Sequence, residues 1–127
     1  MKDYVGIVIA SHSEKIAKGT KELIREVITE VPIVAAGGEV GGGIGTSVEK
    51  IKEAIEAVQQ ETDKGVLIFY DLGSAKLNSE LAIEFIGKED VAIVEAPIVE
   101  GAYLAGVEAF NKKELKEIIL NVEKIFR

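Results

Sequence analysis

The amino-acid sequence predicts an α/β fold with an open, mainly parallel sheet, strands in the order 2-1-3-4 and helices on both faces. Four apolar, β-branched runs of strand length alternate with segments of helical periodicity. This alternation implies parallel strands joined by right-handed crossovers. Helices can cover both faces only if the direction in which successive strands are added to the sheet reverses once. A reversal between strands 1 and 3 gives the predicted order.

The four predicted strands are short and almost wholly apolar, as buried parallel strands are. They comprise residues 4–10, 33–36, 66–70 and 91–94. Pro97 ends the last run, because proline cannot donate to a sheet ladder. The residues after it fit either an extra edge strand or a loop, followed by a weak helix rich in alanine and glycine.

Helix-starting residues precede the periodic segments. Ser13 is the predicted cap of the first helix, Thr46 with Glu49 forms a predicted capping box for the second, and Ser74 is the predicted cap of the third. Residues 111–114 open the last helix. Each of these segments carries apolar residues at spacings of three and four, which is the pattern of a helix with one buried face.

Composition fits one globular domain spanning residues 1–127, with 47% hydrophobic residues. The chain has no cysteine and one histidine, which excludes disulfides, thiolate metal sites and a multi-histidine zinc site within one chain. We therefore expect no metal. No apolar run approaches the roughly 18 residues of a membrane helix. The first residues lack the basic region of a signal peptide, so a cytoplasmic location is expected.

The net charge of −7 is spread over alternating lysine and glutamate, as on a solvated helix surface. It argues against nucleic acid as a partner, because phosphate backbones bind basic faces. It favours a basic protein partner on electrostatic grounds.

The only histidine, His12, lies between two serines directly after the first strand. Residues 71–74, Asp-Leu-Gly-Ser, follow the third strand. The carboxyl ends of neighbouring parallel strands meet at one edge, and ligands of such sheets bind where the winding reverses. The sequence therefore predicts that His12 and Asp71 face each other across this crevice.

This pair fits nucleophilic chemistry. A neutral histidine is a nucleophile, and a carboxylate that accepts a hydrogen bond from Nδ1–H fixes the tautomer in which Nε2 is free to attack. Aspartate is also common in turns, so Asp71 has a purely structural alternative. Its pairing with His12 favours the functional interpretation.

Predicted phosphate contacts surround this pair. Gly73 and Ser74 would offer backbone N–H groups at a helix start, where phosphate oxygens bind. Ser11 and Ser13 flank His12 and are further candidate contacts.

A glycine-rich stretch, residues 37–47, fits neither the dinucleotide fingerprint nor the P-loop. It predicts a mobile loop that follows strand 2 and lies over the histidine, with Gly45 and Thr46 as candidate phosphate contacts. Glu95 and Glu100 flank Pro97, and this pair of glutamates suggests acid–base work, although solvated edge charges are the commoner explanation.

Four motifs in order carry a family resemblance: IVIASHS at 7–13, GIGTS at 43–47, DLGSA at 71–75 and APIVEGAY at 96–103. Together they resemble the DhaM family, the phosphotransferase subunits of the phosphoenolpyruvate-dependent dihydroxyacetone kinase. That family is related to the mannose-type EIIA domains of the sugar phosphotransferase system. Those EIIA domains match the SHS and DLGSA motifs less well, and an EIIA domain of a sugar transporter is the alternative.

The resemblance implies that His12 takes a phosphoryl group from phospho-HPr, as a phosphohistidine, and delivers it to ADP on a DhaL subunit. DhaL then phosphorylates dihydroxyacetone held by a DhaK subunit. Asp71 matches the family residue that orients the histidine. ADP belongs to the partner, so the chain itself needs no cofactor, and its HPr-like donor is expected to be a separate protein. The resemblance also implies a homodimer, with a fifth strand at residues 98–100 near the dimer contact.

The residues independently predict a homodimer through residues 97–110. This segment is apolar and small, and it follows an exposed strand edge of the kind that sheets usually cover or pair.

Two rival functional classes fit the sequence less well. A receiver domain needs an acidic pair after strand 1, where this chain has Ser-His-Ser. A non-catalytic flavin- or nucleotide-binding module is disfavoured by the failed glycine motifs and by only 6% aromatic residues.

Overall fold

The computed structural model describes residues 1–87 and 90–127 and contains a four-stranded parallel sheet of order β2-β1-β3-β4. The strands are β1 (Gly6–Ser11), β2 (Ile33–Gly37), β3 (Val66–Tyr70) and β4 (Val91–Ile93). The predicted strand order is confirmed. The predicted strand limits differ from the observed ones by at most two residues.

Among the described residues, five helices flank the sheet. They are α1 (Glu14–Arg25), α2 (Val48–Glu61), α3 (Gly73–Ile86), α4 (Ile98–Phe110) and α5 (Leu115–Phe126). Helices α1, α4 and α5 pack on one face of the sheet, and α2 and α3 pack on the other. The expected covering of both faces is therefore confirmed.

Strand β1 is buried on both faces of the sheet. Its six residues are all buried, and successive side chains alternate between the two faces. Ile7 and Ile9 join the core beneath α1, α4 and α5, whereas Val8 and Ala10 join the core beneath α2 and α3. An unbroken apolar run therefore suits a strand that is covered on both sides.

Tertiary contacts change two of the predicted caps. Ser13 caps α1 as predicted, since its hydroxyl accepts a hydrogen bond from the Ile16 amide at 3.3 Å. Ser47, not Thr46, caps α2, because the Thr46 hydroxyl accepts a hydrogen bond from Asn78 on α3. The cap residue of α3 is Leu72, and Ser74 lies within the first turn.

The expected fifth strand at 98–100 is wrong: these residues form the first turn of α4. Pro97 immediately precedes the helix, where its missing N–H costs no hydrogen bond and its φ of −56° suits helix entry. The alanines at 102, 105 and 109 are fully buried in the core with β1 and β3. Burial of this small-residue face holds the segment as a helix on the sheet face, not as a strand on its edge.

Gly37 allows β2 and the start of α1 to approach closely. A Cβ atom at Gly37 would lie 2.6 Å from the Ser13 carbonyl oxygen and 2.7 Å from the Glu14 Cα. Both are backbone atoms, so neither can rotate away. This close approach fixes the backbone of Ser13 and Glu14, which follows His12 into α1.

We expect Gly37→Ala to lower the free energy of unfolding by about 1–3 kcal/mol, because overpacking at this site must displace backbone. Urea denaturation measures the change. Gly41→Ala is the matched control in the same loop region, since a Cβ there meets nothing within 4 Å. Equal losses in the two variants would contradict the close-packing explanation.

Candidate active site

The sheet register brings the two predicted catalytic residues together. Ala10 of β1 pairs with Tyr70 of β3, so His12 and Asp71 emerge side by side from the carboxyl edge of the sheet. Their side chains are mostly shielded, at 19% and 15% exposure. The site lies where the strand winding reverses, between β1 and β3.

The Asp71 carboxylate binds the histidine loop through several hydrogen bonds. Oδ1 lies 2.9 Å from His12 Nδ1, and Oδ2 accepts from the His12 amide at 3.0 Å. The Ser11 hydroxyl donates to Oδ2 at 2.7 Å, and the Leu72 amide donates to Oδ1 at 2.7 Å. One carboxylate therefore fixes both the backbone and the ring of His12.

These hydrogen bonds also determine the charge of Asp71. Burial by itself raises the pKa of Asp71, but the hydrogen bonds from the His12 ring and amide, the Ser11 hydroxyl and the Leu72 amide together outweigh it and hold the pKa below its usual value. The carboxylate is therefore ionised at neutral pH. It can only accept, so the proton of the neutral imidazole lies on Nδ1.

The second ring nitrogen of His12 faces the start of α3. Nε2 lies 2.5 Å from the Ser74 hydroxyl, which donates to the nitrogen lone pair in this tautomer. Within residues 1–87 and 90–127, neither the Gly73 amide nor the Ser74 amide has a hydrogen-bond partner. A group attached to Nε2 would thus meet a hydroxyl and the positive end of a helix dipole.

The other predicted phosphate contacts are engaged in building the loop. Ser11 is fully buried, and its hydroxyl accepts from the Ser13 amide while it donates to Asp71. The Gly45 amide donates to the His12 carbonyl oxygen at 2.9 Å. Thr46 is held by Asn78 at 2.5 Å. The glycine-rich loop therefore lies against the histidine loop, and these four residues support the site through existing contacts.

Comparisons with known proteins identify the family of the chain. Residues 6–120 match the EIIA-man family model, described as the PTS system fructose IIA component. The chain is 42% identical over 120 residues to the phosphoryl donor subunit DhaM of PEP-dependent dihydroxyacetone kinase 1 from Listeria innocua, covering 94% of each chain. The chain belongs to the DhaM family of EIIA-man domains.

Two further comparisons support the family assignment. This DhaM-family domain is 48% identical over 100 residues to the phosphotransferase subunit DhaM of the PTS-dependent dihydroxyacetone kinase from Lactococcus lactis, covering 79% of this chain and 78% of that one. Its fold matches the crystal structure of a protein of unknown function, with a TM-score of 0.81, 36% identity and coverage of 98% and 95% of the two chains.

Two structural features are absent from the described part of this DhaM-family domain. In the described part of the chain, no three His, Cys, Asp or Glu side chains gather in a way that would hold a metal ion. Among the same residues, no helix combines the length and apolar character needed to cross a bilayer.

Sequence reasoning missed Asn78 as a contributor to the site of this DhaM-family domain. Asn78 lies one turn beyond Ser74 on α3 and reaches Thr46 on the glycine-rich loop. Nothing local in the sequence marks it, because its role depends on the packing of α2 beside α3.

Proposed function

We propose that this DhaM-family domain is a phosphohistidine carrier. His12 accepts a phosphoryl group from an HPr-like phosphocarrier and passes it to ADP bound on a DhaL subunit. The observation that carries the proposal is the clamp on His12, with Nδ1 on Asp71 and Nε2 directed at the amino end of α3. The names of the relatives, phosphoryl donor and phosphotransferase subunits of dihydroxyacetone kinases, support the same reaction.

In the accepting step, the Nε2 lone pair attacks the phosphorus of the donor's phosphohistidine. A bond from Nε2 to phosphorus forms as the donor's nitrogen–phosphorus bond breaks, and the electron pair of that bond returns to the donor ring. Nδ1 keeps its proton, and the Asp71 carboxylate stabilises the positive charge that develops on the imidazole ring. The Ser74 hydroxyl shifts its donation from Nε2 to a phosphoryl oxygen.

In the delivery step, a terminal phosphate oxygen of ADP attacks the same phosphorus, and the bond to Nε2 breaks. The products are ATP on DhaL and neutral His12, with the proton still on Nδ1. DhaL then phosphorylates dihydroxyacetone on a DhaK subunit. The nucleotide belongs to the partner, so the proposal assigns no cofactor to this chain. It places the chain and its partners in the cytoplasm.

The test is stepwise transfer from phosphoenolpyruvate through enzyme I and HPr, with and without DhaL and DhaK. We expect this chain to acquire acid-labile, base-stable phosphate and to lose it when ADP-loaded DhaL is added. Dihydroxyacetone phosphate should form only when all the proteins are present. Absence of labelling by phospho-HPr would contradict the carrier function.

The family model favours a second candidate, an EIIA domain of a sugar transporter, because its description is that of a fructose IIA component. Both candidates pass through phosphohistidine and differ in the acceptor. Phosphate retained on His12 in the presence of DhaL, but lost to a sugar-transporter IIB protein, would favour the second candidate. A non-catalytic nucleotide- or flavin-binding module would acquire no phosphate at all.

We propose that the protein is a homodimer through residues 97–110. The small residues of α4 pack within the chain, so they are not the contact. The outer side of α4 offers instead a shallow apolar groove lined by Leu23, Val99, Tyr103, Leu104 and Phe126, with Glu100 at its rim. A symmetric pair would cover this groove on both copies.

Leu104→Glu is expected to weaken the dimer by at least tenfold in dissociation constant, because it places a charge in a desolvated contact. Sedimentation at micromolar concentration measures the change, and circular dichroism checks the fold. Leu81→Glu on α3, on the other face of the sheet, is the control and should leave the dimer intact. A monomeric wild-type protein, or equal dissociation of both variants, would contradict this surface.

A further inference from the structure

The four-residue turn from Asp71 to Ser74 holds both nitrogens of the His12 ring. Asp71 binds Nδ1 and Ser74 binds Nε2. The backbone of the turn is tied locally, since the Leu72 amide donates to Asp71 Oδ1 at 2.7 Å and the Leu72 carbonyl oxygen accepts from the Ala75 amide at 2.9 Å, but its middle side chains add little. Leu72 is 61% exposed and makes no side-chain cap, and a Cβ atom at Gly73 would meet nothing within 4 Å. Further fixation of the turn must therefore come from residues on either side of it.

One carboxylate contacts residues on both sides of this turn. Glu95 follows β4, and its Oε1 accepts a hydrogen bond from the Tyr70 hydroxyl at 2.5 Å. Its Oε2 lies 2.8 Å from the Lys76 ammonium. Tyr70 is the residue directly before Asp71, and Lys76 lies two residues after Ser74. The Glu95 side chain thus bridges the end of β3 to the first turn of α3.

The backbone of Glu95 is itself anchored. Its amide donates to the Glu123 carboxylate on α5 at 2.9 Å. Hydrogen bonds from Lys76 and Tyr70 keep the pKa of Glu95 below its usual value, so the bridge has an ionised acceptor at neutral pH. Glu95 is therefore held at its backbone amide, and its carboxylate is bonded to both Tyr70 and Lys76.

We propose that Glu95 is a positioning residue for phosphoryl transfer, which holds the Asp71–Ser74 turn so that His12 is clamped at both nitrogens. This inference rests on the proposed phosphohistidine function. It assigns a role to a glutamate whose sequence pattern suggested acid–base work but was more commonly explained by solvated edge charge. Glu95 acts through Tyr70 and Lys76 and not on the reacting atoms.

The expected effect is kinetic. The side chains of Lys76 and Glu95 are 40% and 47% exposed, and ion pairs this accessible contribute little to stability. A small displacement of a reacting nitrogen, in contrast, lowers the rate of transfer measurably. Loss of the bridge should therefore slow transfer more than it destabilises the fold.

The test compares Glu95→Ala with Glu95→Gln in transfer from phospho-HPr. We expect Glu95→Ala to lower kcat about three- to tenfold with KM for the carrier unchanged. Glu95→Gln, whose amide oxygen still accepts from Tyr70 but whose NH2 group cannot accept from Lys76, should lose less of the rate than Glu95→Ala. Glu108→Ala is the matched control, since Glu108 also bridges two partners, Lys113 and Asn121, away from the site. It should transfer at the wild-type rate.

The tautomer of the His12 ring is a second measurement, which a purely structural role of Glu95 would leave unchanged. Nitrogen NMR of 15N-histidine protein should show the Nδ1–H tautomer in wild type and Glu108→Ala, and a mixture of tautomers in Glu95→Ala. Wild-type kcat and tautomer in Glu95→Ala, with wild-type protein still phosphorylated, would overturn the inference and leave the proposed function standing. A wild-type protein that acquires no phosphate would instead overturn the function.

Discussion

His12→Ala is expected to abolish stable phosphorylation of the protein. His12 is the only histidine, the chain has no cysteine, and Nε2 is the one ring nitrogen directed at the amino end of α3. We expect labelling from phospho-HPr to fall by at least a thousandfold, to background, because loss of the nucleophile removes the covalent step. Radiolabel transfer measures the effect.

The fold should survive this substitution. His12 lies in a loop outside the buried cores, so Asp71 retains the Ser11 and Leu72 donors after the ring is removed. Circular dichroism and urea denaturation serve as controls. Acid-labile, base-stable label on a folded His12→Ala protein would place the phosphoryl group elsewhere and contradict the account.

Asp71→Asn is expected to slow phosphoryl transfer by about a hundredfold or more, since replacing a carboxylate that orients histidine favours the wrong tautomer. The asparagine NH2 group can donate to Nδ1, which moves the ring proton to Nε2 and blocks attack. Asp71→Ala lacks this donor, so we expect a smaller loss of about ten- to a hundredfold. Single-turnover transfer from phospho-HPr measures both.

The order of the two variants is the diagnostic result. Asp71→Asn keeps the shape of the side chain, so a merely structural role predicts that it is milder than Asp71→Ala. Control of the ring tautomer by Asp71 predicts the reverse. Wild-type rates in both variants would reduce Asp71 to a turn residue.

The charge of Asp71 also links stability to pH. Its pKa is lowered in the folded protein, so the carboxylate contributes stability that is fully present above the ordinary value of 3.8. That contribution is lost as the pH falls through the lowered pKa. The clamp on His12 is consequently intact at neutral pH.

Much of the fold was predictable because its signals are local. The run 66–70 is uniformly apolar and became β3 with the predicted limits. The strand order followed from alternation and from the need to cover both faces. That order alone placed His12 beside Asp71, since the carboxyl ends of adjacent parallel strands lie at one edge. The central pair of the site was therefore accessible from sequence.

What the sequence did not predict depends on contacts between distant segments. Thr46 carries a good capping pattern but is held by Asn78, so Ser47 caps α2 instead. Ser74 looks like a helix cap, yet its hydroxyl binds the His12 ring. Residues 98–100 have strand-like character but form the first turn of α4, because the alanines that follow are buried against the sheet. In each case a tertiary contact outweighed a local preference.

The most direct test of the account is the site of the nitrogen–phosphorus bond. Protein labelled with 15N-histidine and phosphorylated by phospho-HPr should show by NMR a single phosphohistidine in which phosphorus is coupled to Nε2, with the proton retained on Nδ1 beside Asp71. We expect this species to disappear when ADP-loaded DhaL is added. Phosphorus on Nδ1, or on any other side chain, would contradict the central claim.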